Sequence, residues 1–150
     1  MTAGNYSDQV ETVVANIVRQ YDPEGFSDSW ELCQKVLDGS AVRRFYVTAE
    51  LGYANIAIMT DKLLLDIEGD DEDRTTSPGL TVRRLNAISG IDIFEGTVQN
   101  VPDTEDAQLV VLAYVAGSEV VDMHWIAYTD EEKDYLLNFG QSLIRAIAEA

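Results

Sequence analysis

The amino-acid sequence predicts an α+β fold in which two helices precede a run of antiparallel strands and a long helix follows it. Three observations lead to this prediction. Apolar residues recur with a period of about 3.6 up to Gly39, with a period of about 2 from Phe45 to Ala127, and again with a period of about 3.6 after Thr129. The sequence therefore predicts helices first, then strands, and then a final helix.

Two helices are predicted in the first 40 residues. Apolar side chains recur every three or four positions from Val10 to Tyr21, and the pattern ends at Pro23, which disfavours helical geometry in the residue before it. In the second helix, Asp28 is the expected N-cap and Gly39 the expected C-terminal stop. The apolar side chains of this second helix are Trp30, Leu32, Cys33, Val36 and Leu37.

Seven strands are predicted from the alternation of side chains that follows. They cover residues 45–50, 54–59, 63–68, 82–87, 91–98, 109–115 and 120–127. The first two are joined near Leu51-Gly52, Thr60-Asp61 is a turn before the third, and Ser89-Gly90 interrupts the region between the fourth and fifth. The last two form a predicted hairpin through Gly117-Ser118.

The C-terminal helix is predicted from its cap and its apolar stripe. Thr129 and Glu132 have the spacing of a capping box, and the first turn is acidic, as the positive end of the helix dipole favours. The stripe of this helix and the phases of the strands together predict a core. Its members are Phe45, Val47, Ile56, Ile58, Leu63, Leu65, Val111, Trp125, Leu136, Phe139 and Leu143.

Length and composition indicate one folded domain. The chain has 150 residues, of which 46% are hydrophobic, and this is enough apolar material for a core. We expect residues 41–150 to form the domain. Residues 1–40 form either a helical appendage or part of the same domain.

The net charge excludes several classes of partner. The chain has 27 Asp and Glu residues against 10 Lys and Arg residues, which gives −17 at pH 7. Because this charge repels phosphate backbones and anionic lipid surfaces, we expect no nucleic-acid binding and no general membrane binding. The acidity is typical both of adaptation to a salty cytoplasm and of an ordinary acidic protein. A single cysteine and the lack of a secretion signal favour a cytoplasmic location.

Few residue combinations are typical of catalysis. His124 and Asp122 share a predicted strand face, but a metal or hydrolytic site needs a third group that the neighbouring sequence lacks. Cys33 lies on an apolar helix face, where burial raises the pKa of a thiol. The acidic run from Asp66 to Asp73 lacks the spacing of a calcium loop, so it is a solvated loop or a weak cation site. We therefore expect no catalytic residue, cofactor or bound metal.

Arginine pairs are the candidate contacts for an anion or a partner. Arg43-Arg44 and Arg83-Arg84 hold four of the ten basic residues, near the starts of two predicted strands. Guanidinium groups suit carboxylate and phosphate, so the four side chains would form an anion pocket if the two strands lie close together. The alternative is that they pair with neighbouring carboxylates.

Two segments are similar to a known family. Residues 58–65, IMTDKLLL, resemble the T-D-x-x-L strand of bacterial pleckstrin-homology-like and GRAM-like domains, and residues 82–95 look like the I-x-x-I strand pair that follows it. The resemblance covers about residues 42–148. It implies a PH-like antiparallel β-barrel capped by a long C-terminal helix, and a binding module that often self-associates and has no catalytic residues. Relatives that bind phosphoinositides have a basic first hairpin, whereas Glu50 is the only charged residue in the corresponding turn here.

The expected function is that of a non-catalytic acidic binding module. Its partner is another protein or a second copy of the chain, so a homo-oligomer is one outcome, and the N-terminal helix is the candidate docking element. The alternative is a small acidic secretion-type chaperone. Such chaperones share the size and the low pI but usually have a helix between their strands, where residues 80–98 read here as continuous β. A third hypothesis, a metal enzyme that uses Asp122 and His124, predicts stoichiometric metal.

Overall fold

A computed structural model describes residues 4–50, 52–71 and 79–150. Within these residues the protein is α+β: three α-helices accompany two antiparallel sheets, and the longest helix is C-terminal. The predicted class and the C-terminal helix are confirmed. The chain separates into two compact units, residues 1–83 and residues 84–150. This grouping joins both N-terminal helices to the strands that directly follow them.

The first helix, α1 (Ser7–Gln20), packs its apolar face into the core of the first unit. Val10, Val14 and Ile17 are buried, as the helical period predicts. The helix ends at Gln20, three residues before Pro23, at the predicted position. Its exposed positions are mostly polar.

The second helix, α2 (Phe26–Leu37), begins earlier than the sequence predicts. The expected N-cap at Asp28 is wrong, because Gly25 precedes the first helical residue with a φ of 84°, a left-handed conformation that glycine adopts at little cost. Asp28 instead lies in the first turn, where its charge favours the positive end of the helix dipole. Phe26, Cys33 and Leu37 are buried on the inner face of α2.

Four strands form the sheet of the first unit. They are β1 (Arg44–Glu50), β2 (Tyr53–Met59), β3 (Leu63–Asp70) and β4 (Gly79–Arg84), in the spatial order β1-β2-β3-β4. The predicted turn between β2 and β3 is confirmed: the hydroxyl oxygen of Thr60 accepts hydrogen bonds from the backbone N–H groups of Lys62 and Leu63, at 3.2 and 3.0 Å.

One end of β3 differs from the prediction. The strand continues to Asp70, so the first part of the expected acidic loop is paired with β2, and Asp70 is buried. The remainder of that expected loop, from Glu72 to Pro78, lies outside the described residues, as does Leu51 in the expected first turn. The hypothesis of weak cation binding by the loop therefore stays a prediction.

One backbone hydrogen bond, one hydrogen bond from backbone to side chain and one close approach attach the start of α2 to the end of β3. The N–H of Asp70 donates to the carbonyl of Glu24 at 3.1 Å, and the N–H of Glu24 donates to Oδ1 of Asp71 at 2.7 Å. A Cβ atom added at Gly69 would lie 2.5 Å from Cβ of Phe26 and 2.9 Å from its backbone nitrogen. Only glycine allows α2 to approach β3 this closely without a shift of the backbone.

Between β4 and the next strand the chain departs from continuous β structure. The predicted strand 82–87 ends at Arg84, and residues Leu85–Ala87 form a single 3₁₀ turn with Leu85 buried. The next strand, β5 (Ile88–Phe94), is four residues shorter at its C-terminal end than predicted and begins three residues earlier. The predicted break at Ser89-Gly90 is a register shift within β5, where a glycine suits an irregular pairing.

The second unit places the C-terminal helix on a three-stranded sheet. The strands β5, β6 (Leu109–Val115) and β7 (Met123–Ala127) lie in that order, and α3 (Asp130–Glu149) begins with the predicted capping box of Thr129 and Glu132. The ring of Phe139 meets Trp125 edge to face, with centroids 5.6 Å apart. Gly140 brings the helix close to the sheet, because an added Cβ would lie 3.3 Å from Ile93.

The predicted hairpin between β6 and β7 is longer than two residues. Gly117 turns the chain with a φ of 82°, and the hydroxyl of Ser118 then accepts a hydrogen bond from the N–H of Val120 at 3.1 Å. This local bond competes with strand pairing. As a result β7 begins at Met123 rather than at Val120, whose side chain is 74% exposed.

The face of the second sheet opposite α3 is covered by the connection between β5 and β6. Val98 and Val101 from this connection pack against a small cluster that includes Val110, Leu112 and Ile126. The buried hydroxyl of Thr104 holds the connection together. It accepts a hydrogen bond from the N–H of Val98, and its single hydrogen is shared between the carbonyls of Val98 and Val101, all within 3.1 Å. The connection is thus an ordered part of the unit.

Most of the predicted core is confirmed. Eight of the eleven residues are buried: Ile56, Ile58, Leu65, Val111, Trp125, Leu136, Phe139 and Leu143. Phe45, Val47 and Leu63 are only partly buried and pack against the edge of the first unit's core. On β1 it is Tyr46, assigned to the outer face by the alternation, that is buried, and on the neighbouring β2 the residues of both phases are buried from Ala54 to Met59.

Among the described residues, the three helices are all too short or too polar to traverse a lipid bilayer.

We predict that Gly69→Ala destabilises the protein. The added methyl group collides with the backbone of Phe26, so α2 must move away from β3, at an expected cost of about 1–3 kcal/mol of unfolding free energy. Gly90→Ala is the matched control, because it is also in a strand and its Cβ would meet nothing within 4 Å. Thermal and denaturant unfolding measure both variants. Equal stability of Gly69→Ala and the wild type would show that the approach is not as close as described.

Candidate functional site

The four candidate arginines lie on the two edge strands of the first sheet. Arg43 directly precedes β1, Arg44 begins it, and Arg83 and Arg84 are the last residues of β4. Because β2 and β3 separate these strands, their backbones are roughly 14 Å apart within the sheet. The sheet order therefore does not place β1 beside β4, as a pocket made of both dipeptides requires.

Arg43 makes a two-pronged contact with a carboxylate. Its Nε and Nη2 atoms donate to Oδ1 and Oδ2 of Asp61 at 2.9 and 3.1 Å, and Nη1 donates to the carbonyl of Gly4 at 3.0 Å. These hydrogen bonds hold the pKa of Asp61 below its usual value. Arg43 thus ties the N-terminal segment to the turn between β2 and β3.

Arg44 and Arg83 also contact neighbouring groups. The guanidinium of Arg44 lies over the ring of Tyr6, 5.3 Å from its centroid, and its Nη1 donates to the carbonyl of Arg43 at 2.8 Å. The Nη1 of Arg83 donates to the carbonyl of Val82 at 3.0 Å, and the side chain of Arg84 is exposed. At β1, the alternative of pairing with a neighbouring carboxylate therefore describes Arg43, whereas the contacts given for Arg44 are to a ring and a backbone carbonyl.

A polar network on β2 and β3 was missed by the sequence reasoning. The phenol of Tyr53 donates to Oε1 of Glu68 at 2.9 Å, and the amide of Asn55 donates to Oδ1 of Asp66 at 2.8 Å and to the carbonyl of Ile67 at 3.0 Å. Burial raises the pKa of Tyr53, and the Glu68 carboxylate raises it further. Asp66 and Glu68 are two residues apart on β3 and therefore lie on the same face of the sheet. This spacing is visible in the sequence and could have revealed the network.

The other titratable candidates have structural surroundings. Burial raises the pKa of Cys33 to about 12, as predicted, which disfavours the nucleophilic thiolate. Burial lowers the pKa of His124, and the carboxylate of Asp103 partly opposes this shift. His124 lies on β7 opposite Leu112, whereas Asp122 precedes the strand. Within residues 4–50, 52–71 and 79–150, no three His, Cys, Asp or Glu side chains are grouped as a metal ion would need.

An exposed apolar ridge on α2 is the feature that resembles a binding surface most closely. We define the α2 ridge as Leu32 and Val36, whose side chains are 53% and 40% exposed and lie one helical turn apart. The buried stripe of the same helix, which includes Cys33 and Leu37, lies beside the ridge, about 100° around the helix axis. The other exposed large hydrophobic residues described are Tyr21, Phe94, Val120, Tyr128, Tyr135 and Ile144.

No protein-family model, curated protein or solved structure matches this chain.

We predict that Arg43→Gln raises the pKa of Asp61 towards the usual value of about 3.9. The neutral amide cannot form the two charged hydrogen bonds that stabilise the carboxylate. Since the folded-state pKa is depressed, the contact stabilises the fold above the unfolded-state pKa, and this contribution is lost as pH falls through the folded-state value. Titration of the Asp61 carboxyl by NMR measures the effect.

Arg19→Gln is the control for this titration. Arg19 is an exposed arginine on α1 that contacts Asn16 rather than Asp61, so its removal should leave the Asp61 titration unchanged. An unaltered Asp61 pKa in Arg43→Gln would contradict the two-pronged contact.

Proposed function

We propose that this protein is a non-catalytic acidic binding module that recognises another protein through the α2 ridge. The observation that carries the proposal is the exposure of Leu32 and Val36 side by side on a helix whose adjoining stripe, with Cys33 and Leu37, is buried. Covering two half-exposed aliphatic side chains contributes about 1 kcal/mol each. Together they change a dissociation constant by more than about tenfold.

The rigidity of α2 favours its use as a binding surface. Glu24 accepts a hydrogen bond from Asp70 and donates one to Asp71. These bonds and the contact of Gly69 with Phe26 fix the start of the helix on β3. A partner that docks on a preformed helix loses less conformational entropy in the complex than one that must order a loop. The ridge is therefore presented in a defined orientation.

The first helix is a poorer docking element than the sequence suggested. Its apolar stripe of Val10, Val14 and Ile17 lies in the core of the first unit. The N–H of Tyr6 also donates to the carbonyl of Val42 at 2.8 Å, which attaches the segment before α1 to the start of β1. Removal of α1 would expose this core, so substitutions on α2 are the better test of binding.

The PH-like barrel is part of the same proposal. Among the described residues, the order of seven strands followed by one long amphipathic helix supports it, as does the turn formed by Thr60 before the apolar strand β3. Domains of this kind serve mainly as binding modules. Lipid headgroups are disfavoured as the ligand, because the side chain of Arg43 already binds Asp61 and the net charge of −17 repels anionic headgroups.

A small acidic secretion-type chaperone is the second candidate. An acidic chain with an exposed apolar helix face suits the capture of another polypeptide, and this observation favours the idea. However, those chaperones usually have a helix between their strands. Residues 80–98 here contain most of β4 and all of β5, with a single 3₁₀ turn between them. The binding-module proposal therefore has the stronger support.

We predict that the double substitution Leu32→Gln, Val36→Gln removes partner binding without changing stability. Both side chains are exposed, so the fold should lose little when they become polar. Immobilised full-length chain and the double variant are compared for the proteins that each retains from native host lysate, at low and at high salt. The expected result is a partner retained by the wild type and lost from the variant.

Val120→Gln is the matched control, because Val120 is more exposed than either residue of the α2 ridge and lies in a loop of the second unit. It should retain the same proteins as the wild type. Light scattering of all three chains tests self-association. Identical protein retention and identical mass for the wild type and the double variant would contradict the proposed function.

A further inference from the structure

We propose that the partner segment that covers the α2 ridge is a basic amphipathic helix. This inference rests on the proposed function and adds the chemical class of the partner. It follows from the arrangement of charge around Leu32 and Val36, together with the helical geometry of the surface that these two residues form.

The surroundings of the α2 ridge are acidic. From Asp22 to Asp38 the chain carries five carboxylates and one lysine, and all six charged side chains are exposed. On α2 itself, Asp28, Leu32 and Val36 follow one another at intervals of four residues and therefore lie in one row. The one positive charge, on Lys35, is outnumbered by the five carboxylates, so this stretch carries a net charge of −4 (1 − 5).

This charge pattern discriminates between the classes of protein that could cover the ridge. A partner with apolar residues flanked by lysine or arginine gains attraction from Asp28 and the neighbouring acids, whereas an acidic partner is repelled. A second copy of this chain would bring the same acidic surface and another net charge of −17. Self-association through the ridge is therefore disfavoured except at high salt, where screening shortens the Debye length to about 3 Å.

The shape of the ridge favours a helix as the bound element. Leu32 and Val36 are separated by about 6 Å along the helix axis, the rise of four helical residues. A partner helix presents its own i, i+4 ridge at the same interval, and such ridges pack into one another's grooves. Basic residues on the flanks of that ridge would then lie opposite the carboxylates of α2.

Synthetic helices test the inference directly. The probes are two peptides of roughly 14 residues, about four helical turns, with leucines along one face and either lysines or glutamates elsewhere. Fluorescence anisotropy measures their binding to the full chain. We expect the leucine–lysine peptide to bind, the leucine–glutamate peptide not to bind, and the affinity to fall as salt increases.

Variants separate docking on α2 from general attraction to an acidic protein. Leu32→Gln, Val36→Gln should weaken the leucine–lysine peptide about tenfold or more, and Val120→Gln should leave it unchanged. Asp28→Asn, Asp38→Asn should weaken binding and flatten its salt dependence. The inference would be overturned if both peptides bound equally well. It would also be overturned if the leucine–lysine peptide bound Leu32→Gln, Val36→Gln as tightly as the wild type.

The two proposals fail in different experiments. If lysate partners still depend on Leu32 and Val36 while the lysine peptide does not, the proposed function stands and the assignment of a basic helix is wrong. If neither the lysate partners nor the peptide depends on these residues, both proposals are wrong.

Discussion

The close approach of α2 to Gly69 of β3 is the contact on which the arrangement of the first unit depends. With no side chain at Gly69, the first turn of α2 lies directly against the strand, and the backbone bond from Asp70 to Glu24 holds it there. Burial of Phe26 and Cys33 follows from this position. The same contact determines which face of α2 points outward. The exposure of Leu32 and Val36 is therefore a consequence of how the helix packs on β3.

Charge and apolar packing act on different parts of the molecule. Most buried residues of both units are apolar, while the described carboxylates are exposed or half-exposed, with Asp70 on β3 as the buried exception. Some of the charge is used structurally: Asp61 holds Arg43, Asp71 accepts a bond from Glu24, and Glu68 accepts from Tyr53. The acidity therefore leaves the core intact and determines instead which partners can approach the exposed ridge of α2.

Local patterns predicted much of this fold, and long-range contacts account for the differences. The capping box of Thr129 and the stripe through Leu136, Phe139 and Leu143 depend only on neighbours in sequence, and both are confirmed. The start of α2 was misplaced because Gly25 and the distant Gly69 determine it together. The network of Tyr53 with Glu68 and the exposure of Leu32 could not be read from composition, since both depend on which strand or helix lies alongside.

The reactivity of Cys33 is the most direct measure of how closely α2 packs on β3. This single thiol lies on the buried face of the helix, so it is accessible only when α2 leaves β3 or the unit unfolds. Labelling with a small maleimide at pH 8, in native buffer and in denaturant, compares the two states. The account predicts strong protection in native buffer and one reactive thiol per chain after unfolding. Labelling in native buffer at the denatured rate, with the helical circular dichroism intact, would contradict it.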